Sequence, residues 1–441
     1  QLPWVGNIPI LGALFRSASF QKKETDLVII VTPRIVRPSR PGDLVRTPSI
    51  TGSDAEHEAQ AAMAAALADD GLEVDHWALP LDDLRADPDF PGVEVPRDEA
   101  WGVVGRLPGA GDGRTLLLDG HIDVVPEGDR DAWTHADPFG GAVTATEVRG
   151  RGACDMKGGL LAARWAVRAL AATGVPLRGD VLVASVEGEE DGGLGTFGLL
   201  RRGWTADCCV VPEPTGLGLV PACAGALTFR LRIRGRSAHA ARRAEGVSVV
   251  DKLVPVLAAL AALEAERNRD SDPLLDRWGL AYPLSLGVVR AGDWASTVPD
   301  LLVAEGRLGV ALDEDVADAR AALETAVAEA GAADAWLREH PVEVEWWGGQ
   351  FASGRLPADS YLDRRVGVAH RTAVGTPMGS WGAPFGSDLR LLTGLGGIPT
   401  VHYGPGDVEL AHAPDEAVPI AEVEATAAVL ALLALDVCGP T

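Results

Sequence analysis

The sequence predicts an α/β protein: a mostly parallel sheet with helices on both faces, and a βαββαβ two-layer unit inserted into it. Two observations predict this. Beyond about residue 45, short runs rich in Val, Leu and Ile alternate with longer amphipathic runs, the order of parallel strands joined by crossover helices. Between residues 226 and 349 that order changes to strand, helix, strand, strand, helix, strand, which builds a two-layer sandwich.

The elements follow in chain order. A helix through AEHEAQAAMAAALADDG starts at Ser53 or Asp54, whose side chains offer an N-cap oxygen, and stops at Gly71. WGVVGRL and RTLLLDGHIDVV read as strands. GGLLAARWAVRALAATG is an amphipathic helix ended by Gly174. GDVLVASVEGEE and DCCVVPEP are buried strands that run into polar loops. The inserted unit places strands at 227–234, 284–289, 302–310 and 342–347, with helices at 247–265 and 316–330. A helix over 362–373, the strand PTVHYGP and the closing helix AEVEATAAVLALLAL return the chain to the first unit. The organisation is thus a discontinuous α/β domain of residues 46–225 and 350–441, interrupted by a domain of residues 226–349.

The chain has 441 residues, 39 basic against 63 acidic, for a net charge of -24. Nucleic acid and anionic membranes repel such a protein, so neither is expected as a partner. Five cysteines show no CxxC spacing, and the adjacent Cys208 and Cys209 read as buried strand residues. A reducing, cytoplasmic location is therefore expected. No apolar run has the length of a membrane span, and no signal peptide is recognised.

The first 45 residues are of another kind. LPWVGNIPILGALFRS followed by ETDLVIIVTPRIVRP resembles the C-terminal end of a bacterial secretin, with a strand expected in TDLVIIVTPRIV. A secretin barrel needs many strands closed into a ring, so this segment cannot carry that function alone. It reads as a fusion or an assembly artefact, with a real appendage as the alternative. The chain starts at Gln1, and the downstream domain is expected to lack a helix that would precede LVRTPSITGSD.

Five segments carry chemistry. LLLDGHIDVVPEG ends an apolar strand in His121, with Asp123 two residues later on the same face. GRGACDMKGG puts Asp155 among four glycines, which permit tight turns near a ligand; a helix N-cap is the structural alternative for Asp155. VASVEGEEDGG sets Glu187, Glu189, Glu190 and Asp191 at a strand end, an arrangement that costs free energy unless cations or donors compensate. CVVPEPTG ends a strand in Glu213, and GPGDVELAHAPDE holds His412 in a polar loop. Strand C-terminal ends are where open α/β sheets form ligand sites. Two His and three carboxylates suit a pair of zinc ions, or zinc with a related divalent metal.

The stretch from about residue 46 to 441 resembles the metallopeptidase family that holds acetylornithine deacetylase, succinyl-diaminopimelate desuccinylase, aminoacylase and glutamate carboxypeptidase. The resemblance rests on GHIDVVPEGD, DPFGG, GRGACDMKGGL, EGEEDGGLGT, PEPTG, GRSAHA and HYGPGD with AHAPDE, while AWLREHPVEVEW points to the deacylase branch. It implies a phosphorylase/hydrolase-like catalytic domain and an inserted lid that also forms a homodimer. It implies two divalent ions, zinc or else cobalt or manganese, on His121, Asp155, Glu190, Glu213 and His412, with Asp155 bridging. It further implies that Asp123 orients His121 and that Glu189 is the general base acting on a water between the ions. His239, in GRSAHA, would reach the partner's active site. The expected reaction is hydrolysis of an N-acyl amino acid, and a dipeptidase or carboxypeptidase on the same site is the alternative.

The lid positions depart from the family pattern. Ser296 stands where the family has Asn, and Gly309 where it has Arg. Arg307, two residues earlier on the same strand face, is the candidate substitute, and Arg242 and Arg243 are candidates for an anionic substrate. These departures leave the metal set whole and bear on substrate choice.

Overall fold

A computed structural model describes residues 42–135 and 137–439. The strand expected in TDLVIIVTPRIV lies outside those residues. Along the chain come β1 (Glu73–Ala78), β2 (Trp101–Leu107), β3 (Leu116–His121), β4 (Ala142–Val143) and β5 (Glu147–Arg149). They are followed by β6 (Val181–Val186), β7 (Cys208–Val211), β8 (Ala222–Cys223), β9 (Gly225–Arg234), β10 (Leu284–Ala291), β11 (Leu301–Val310) and β12 (Glu343–Phe351). The last three are β13 (Gly354–Arg355), β14 (Thr400–His402) and β15 (Ala417–Pro419).

The larger sheet has the order β1-β2-β6-β3-β7-β14. Strands β6, β3, β7 and β14 are mutually parallel, as expected. The other edge is not: β1 pairs antiparallel with β2, and β2 antiparallel with β6. The connection between β1 and β2, residues 79–100, holds the short helix Leu81–Ala86 and an irregular stretch, and it returns the chain antiparallel beside β1. The sheet is therefore mixed.

Every residue of β3, β6 and β7 is buried, which is why these strands read as unbroken apolar runs. Alternation still sorts their side chains. Leu116 and Leu118 enter the core beneath the helices Gly158–Thr173 and Ile420–Val437, while Leu117 joins Phe197 and Leu182 on the opposite face. Cys208 and Cys209 are buried free thiols in β7.

The helix Asp54–Asp69 begins after Ser53, whose side chain makes no capping bond. Glu56 in the first turn instead ties back the chain ahead of the helix, its Oε2 accepting the N–H of Gly52 at 2.6 Å. Gly174 ends the helix Gly158–Thr173 in the left-handed region at φ 65°.

The second sheet is antiparallel, in the order β10-β11-β9-β12. Leu227, Phe229, Leu231 and Ile233 of β9 point into a core shared with the helices Val249–Arg267 and Val316–Ala333. The alternate positions Arg230 and Arg232 point outward onto Glu305 and Glu345. Among the described residues, no helix is long and apolar enough to cross a membrane.

Candidate active site and metal centre

Adjacency of β6, β3 and β7 in the sheet brings their C-terminal ends together. His121 closes β3, the turn from Glu187 to Asp191 follows β6, and Glu213 follows β7. Asp155 comes from the turn Ala153–Lys157, in extended rather than helical conformation (φ -113°, ψ 100°). The helix begins only at Gly158, so Asp155 is not its N-cap. His412 arrives from the far end of the chain with φ 61°, a left-handed conformation that a non-glycine residue seldom holds.

Asp155 stands at the centre. Its Oδ1 lies 3.2 Å from Nε2 of His121, and its Oδ2 lies 3.4 Å from Nε2 of His412. Glu213 Oε1 lies 3.9 Å from Nε2 of His121, and Glu190 Oε2 lies 3.0 Å from Nε2 of His412. Two three-residue groups result, His121–Asp155–Glu213 and Asp155–Glu190–His412, each with one ligand atom per residue inside a span of 4.8 Å. All five expected ligands are thus brought together, and Asp155 belongs to both groups.

The electrostatics show a site that draws positive charge. Burial opposes a charged imidazole, yet Asp155, Glu213 and Asp123 together raise His121 well above its ordinary value. His412 rises to about 11 against its own burial, chiefly through Glu190 and then Asp155. Asp155 is driven low despite burial, by hydrogen bonds from both imidazoles. Glu213 is pushed well up by burial and by Asp155 beside it. Glu190 Oε1 is buried and accepts no hydrogen bond. A buried carboxylate oxygen left that way is costly, and a cation is one partner that satisfies it. Two imidazoles with three carboxylates fit divalent ions of the zinc class.

Glu189 is buried next to the cluster. Burial raises its carboxyl well above the ordinary range, and the charge of Asp388 raises it further. A carboxyl so placed holds a proton more firmly than an exposed one and is suited to accept and return it.

The support differs in one respect from what the sequence suggested. His121 Nδ1 donates to the main-chain carbonyl of Asp123 at 2.9 Å, while the Asp123 carboxylate lies 3.7 Å away. With Nδ1 committed to that carbonyl, Nε2 is the nitrogen that faces the cluster. The Asp123 carboxylate instead accepts the N–H groups of Glu189 and Glu190, each at 3.3 Å, and the hydroxyl of Thr51 at 2.9 Å.

Two residues without an expected role matter here. Glu416, fully buried, accepts the N–H groups of Cys154 and Asp155 at 2.9 and 3.0 Å. Arg151 donates to Glu416 at 2.6 Å and to the carbonyl of His412 at 3.2 Å. This pair braces the backbone of Asp155 and His412 together. Both residues lie inside the quoted motifs, but their partners are more than 250 positions apart in sequence.

The second unit's candidates are not drawn into the cluster. His239 is exposed, and its Nδ1 accepts the N–H of Ala241 at 3.1 Å. Ser296 lies alongside, its carbonyl accepting the N–H of Ala240 at 2.8 Å. Arg307 pairs with Glu94 at 3.0 Å, a contact between the two units. Gly309 leaves no room for the arginine once expected there, since a Cβ would lie 2.8 Å from the Tyr282 carbonyl carbon. Arg242 and Arg243 are exposed and pair with Glu245 and Asp251.

Residues 117–436 match the model of the peptidase family M20/M25/M40. Residues 1–37 separately match that of the bacterial type II and III secretion system protein. Succinyl-diaminopimelate desuccinylase of Corynebacterium glutamicum is 30% identical over 368 residues, covering 79% of this chain and 88% of the relative. N-formyl-4-amino-5-aminomethyl-2-methylpyrimidine deformylase of Bacillus subtilis is 28% identical over 354 residues, covering 73% and 79%. Among solved structures, an M20 family metallo-carboxypeptidase from Sulfolobus solfataricus superposes with a TM-score of 0.72 at 16% identity, covering 89% of this chain and 98% of the other. Human carnosine dipeptidase 1 gives 0.67 at 15%, covering 89% and 94%. At these identities the two structures speak to the fold.

Proposed function

The chain belongs to peptidase family M20/M25/M40, and from that premise we propose that it is a metal-dependent hydrolase cleaving the amide bond of an N-acyl amino acid. The observation that carries the reading is Asp155, shared by two three-ligand groups with Glu189 buried at their side. His121, Asp155 and Glu213 would hold one ion, and Asp155, Glu190 and His412 the other. When bound, two such ions acidify a shared water and polarise the scissile carbonyl.

The protein's own groups do the rest. Glu189 takes the proton of the attacking water and later delivers it to the leaving amine, a transfer favoured by its raised affinity for protons. Asp123 fixes Glu189 and Glu190 through their N–H groups and His121 through its carbonyl. The products are a carboxylate and a free amine.

His239 is assigned to the oxyanion, reaching the site of a partner subunit in a homodimer built on the second unit. Its exposure supports this, as does its absence from both ligand groups of its own chain. So does the apolar stripe of Val250, Val254 and Leu257, left exposed on one side of the helix Val249–Arg267. His239→Ala is expected to lower kcat by about 10²–10³-fold with metal content unchanged. Loss of metal in that variant would contradict the role.

The relatives' names favour a small-acyl amide over a peptide, and the altered positions Ser296 and Gly309 bear on which acyl group is accepted. The test is kcat/KM for N-acetyl, N-succinyl and N-formyl substrates against dipeptides. An acyl substrate ahead of every dipeptide is expected. Dipeptides ahead of all acyl substrates would replace the deacylase reading with a peptidase one.

A further inference from the structure

Beneath the turn that carries Glu189 and Glu190 lies a second charged layer, which the chemistry above does not use. Its role depends on the reading of Asp155, Glu190 and His412 as a metal site. Arg97 is buried there. Its Nη2 lies 3.3 Å from both carboxylate oxygens of Asp191, and its Nη1 lies 3.8 Å from Oε1 of Glu56. Neither Nε nor Nη1 makes a hydrogen bond. Gly188 sits directly against the guanidinium: a Cβ on it would stand 2.3 Å from Nη1. Four carboxyl groups, those of Glu56, Asp191, Asp123 and Glu187, act on this one cation. Burial pushes Glu56 up to about 9 and Glu187 up to about 7, and His57 Nδ1 lies 3.3 Å from Oε1 of Glu187.

The turn is thereby pinned from below at three places. Gly188 rests on the guanidinium. The N–H groups of Glu189 and Glu190 are tied to Asp123. Asp191 is clamped between Arg97 and the N–H of Val95, which donates at 3.0 Å. With its backbone held this way, the turn delivers Glu190 to His412.

We propose that Arg97, acting through Asp191 and Gly188, is a positioning residue that aims Glu189 and completes the Asp155–Glu190–His412 metal group. An arginine suits the place because it stays charged when buried and spans Asp191 on one nitrogen and Glu56 on another. Lysine would supply a single point of charge. The His121–Asp155–Glu213 group takes no residue from the turn, so losing Arg97 should affect the two groups unequally.

The test is calorimetric zinc titration of the metal-stripped full chain, as wild type, Arg97→Met and Arg97→Lys. Arg267→Met serves as the control, since it breaks a half-buried ion pair with Glu314 in the second unit. Wild type should take up two ions. In Arg97→Met the second ion should bind about 10–100-fold more weakly while the first keeps its affinity, and Arg97→Lys should fall between. Two ions bound by Arg97→Met as by wild type would overturn the proposal. So would equal weakening of both ions in step with thermal stability, as in the control. If Arg97→Met does not fold, Asp191→Asn removes the same clamp and must show the same selective loss. A wild-type chain that binds no zinc would sink the metal-site reading itself and this role with it.

Discussion

Two charged regions of the molecule are built on opposite plans. On the outer face of the second sheet, Arg230 pairs with Glu305 and Glu345, Arg232 with Glu345, and Arg234 with Glu343. Cations and anions match there, and water reaches most of them. At the C-terminal ends of β3, β6 and β7, carboxylates outnumber their protein partners, and burial keeps water from making up the difference. The first region is an arrangement that any soluble sheet surface can adopt. The second is stable only with something added, either protons or metal ions. Unbalanced charge in a dry place, rather than charge itself, is what marks the chemistry.

Substitutions should separate the two regions by size of effect. Glu189→Gln keeps the shape of the turn and removes only the proton carrier, so turnover should fall by about 10²–10⁴-fold with metal content intact. Steady-state kinetics beside metal analysis checks this, and wild-type turnover in the variant would remove Glu189 from its role. Glu416→Gln breaks the brace beneath Asp155 without touching a ligand, and metal affinity should drop by about 10–100-fold. Unchanged affinity would show that the brace is not needed to hold Asp155.

A pH experiment probes the excess of acid directly. Glu56 has its carboxyl raised from 4.5 to about 9, first by burial and then by Asp123. Between those values the folded chain keeps a proton that the unfolded chain releases, so the contribution of Glu56 to stability declines as pH rises. Glu56→Gln needs no proton. Its melting temperature should therefore improve relative to wild type from pH 5 to pH 9, and a constant difference would contradict the assignment. The smallest effect belongs to the exposed ladder. Removing Glu345 should cost about 0.2–1 kcal/mol in chemical denaturation and leave kcat/KM alone.

The same contrast explains what the sequence could disclose. His121, Glu213 and the Glu189–Glu190 pair were legible because each follows an apolar strand run directly, a local pattern. Asp155 was legible through the glycines around it. Support for these residues was not. Glu416 and Arg151 make sense only once the last loop folds back on the turn at Asp155. The division of labour at Asp123, carbonyl to His121 and carboxylate to the turn, depends on β3 and β6 being neighbours. The antiparallel edge at β1 and β2 was hidden as well, since apolar alternation does not encode strand direction. Arg307 read as a free cation because Glu94, its partner, lies 213 positions away.

The central claim is that the cluster around Asp155 holds two ions and that hydrolysis depends on them. The most direct measurement is hydrolysis of N-acetyl, N-succinyl and N-formyl amino acids by chelator-stripped protein as zinc is added back, with bound metal counted at each point. The account predicts no turnover in the stripped chain and activity that rises as occupancy approaches two ions per chain. Full turnover without metal, or a metal-replete chain with no ion bound at the Asp155 cluster, would contradict it.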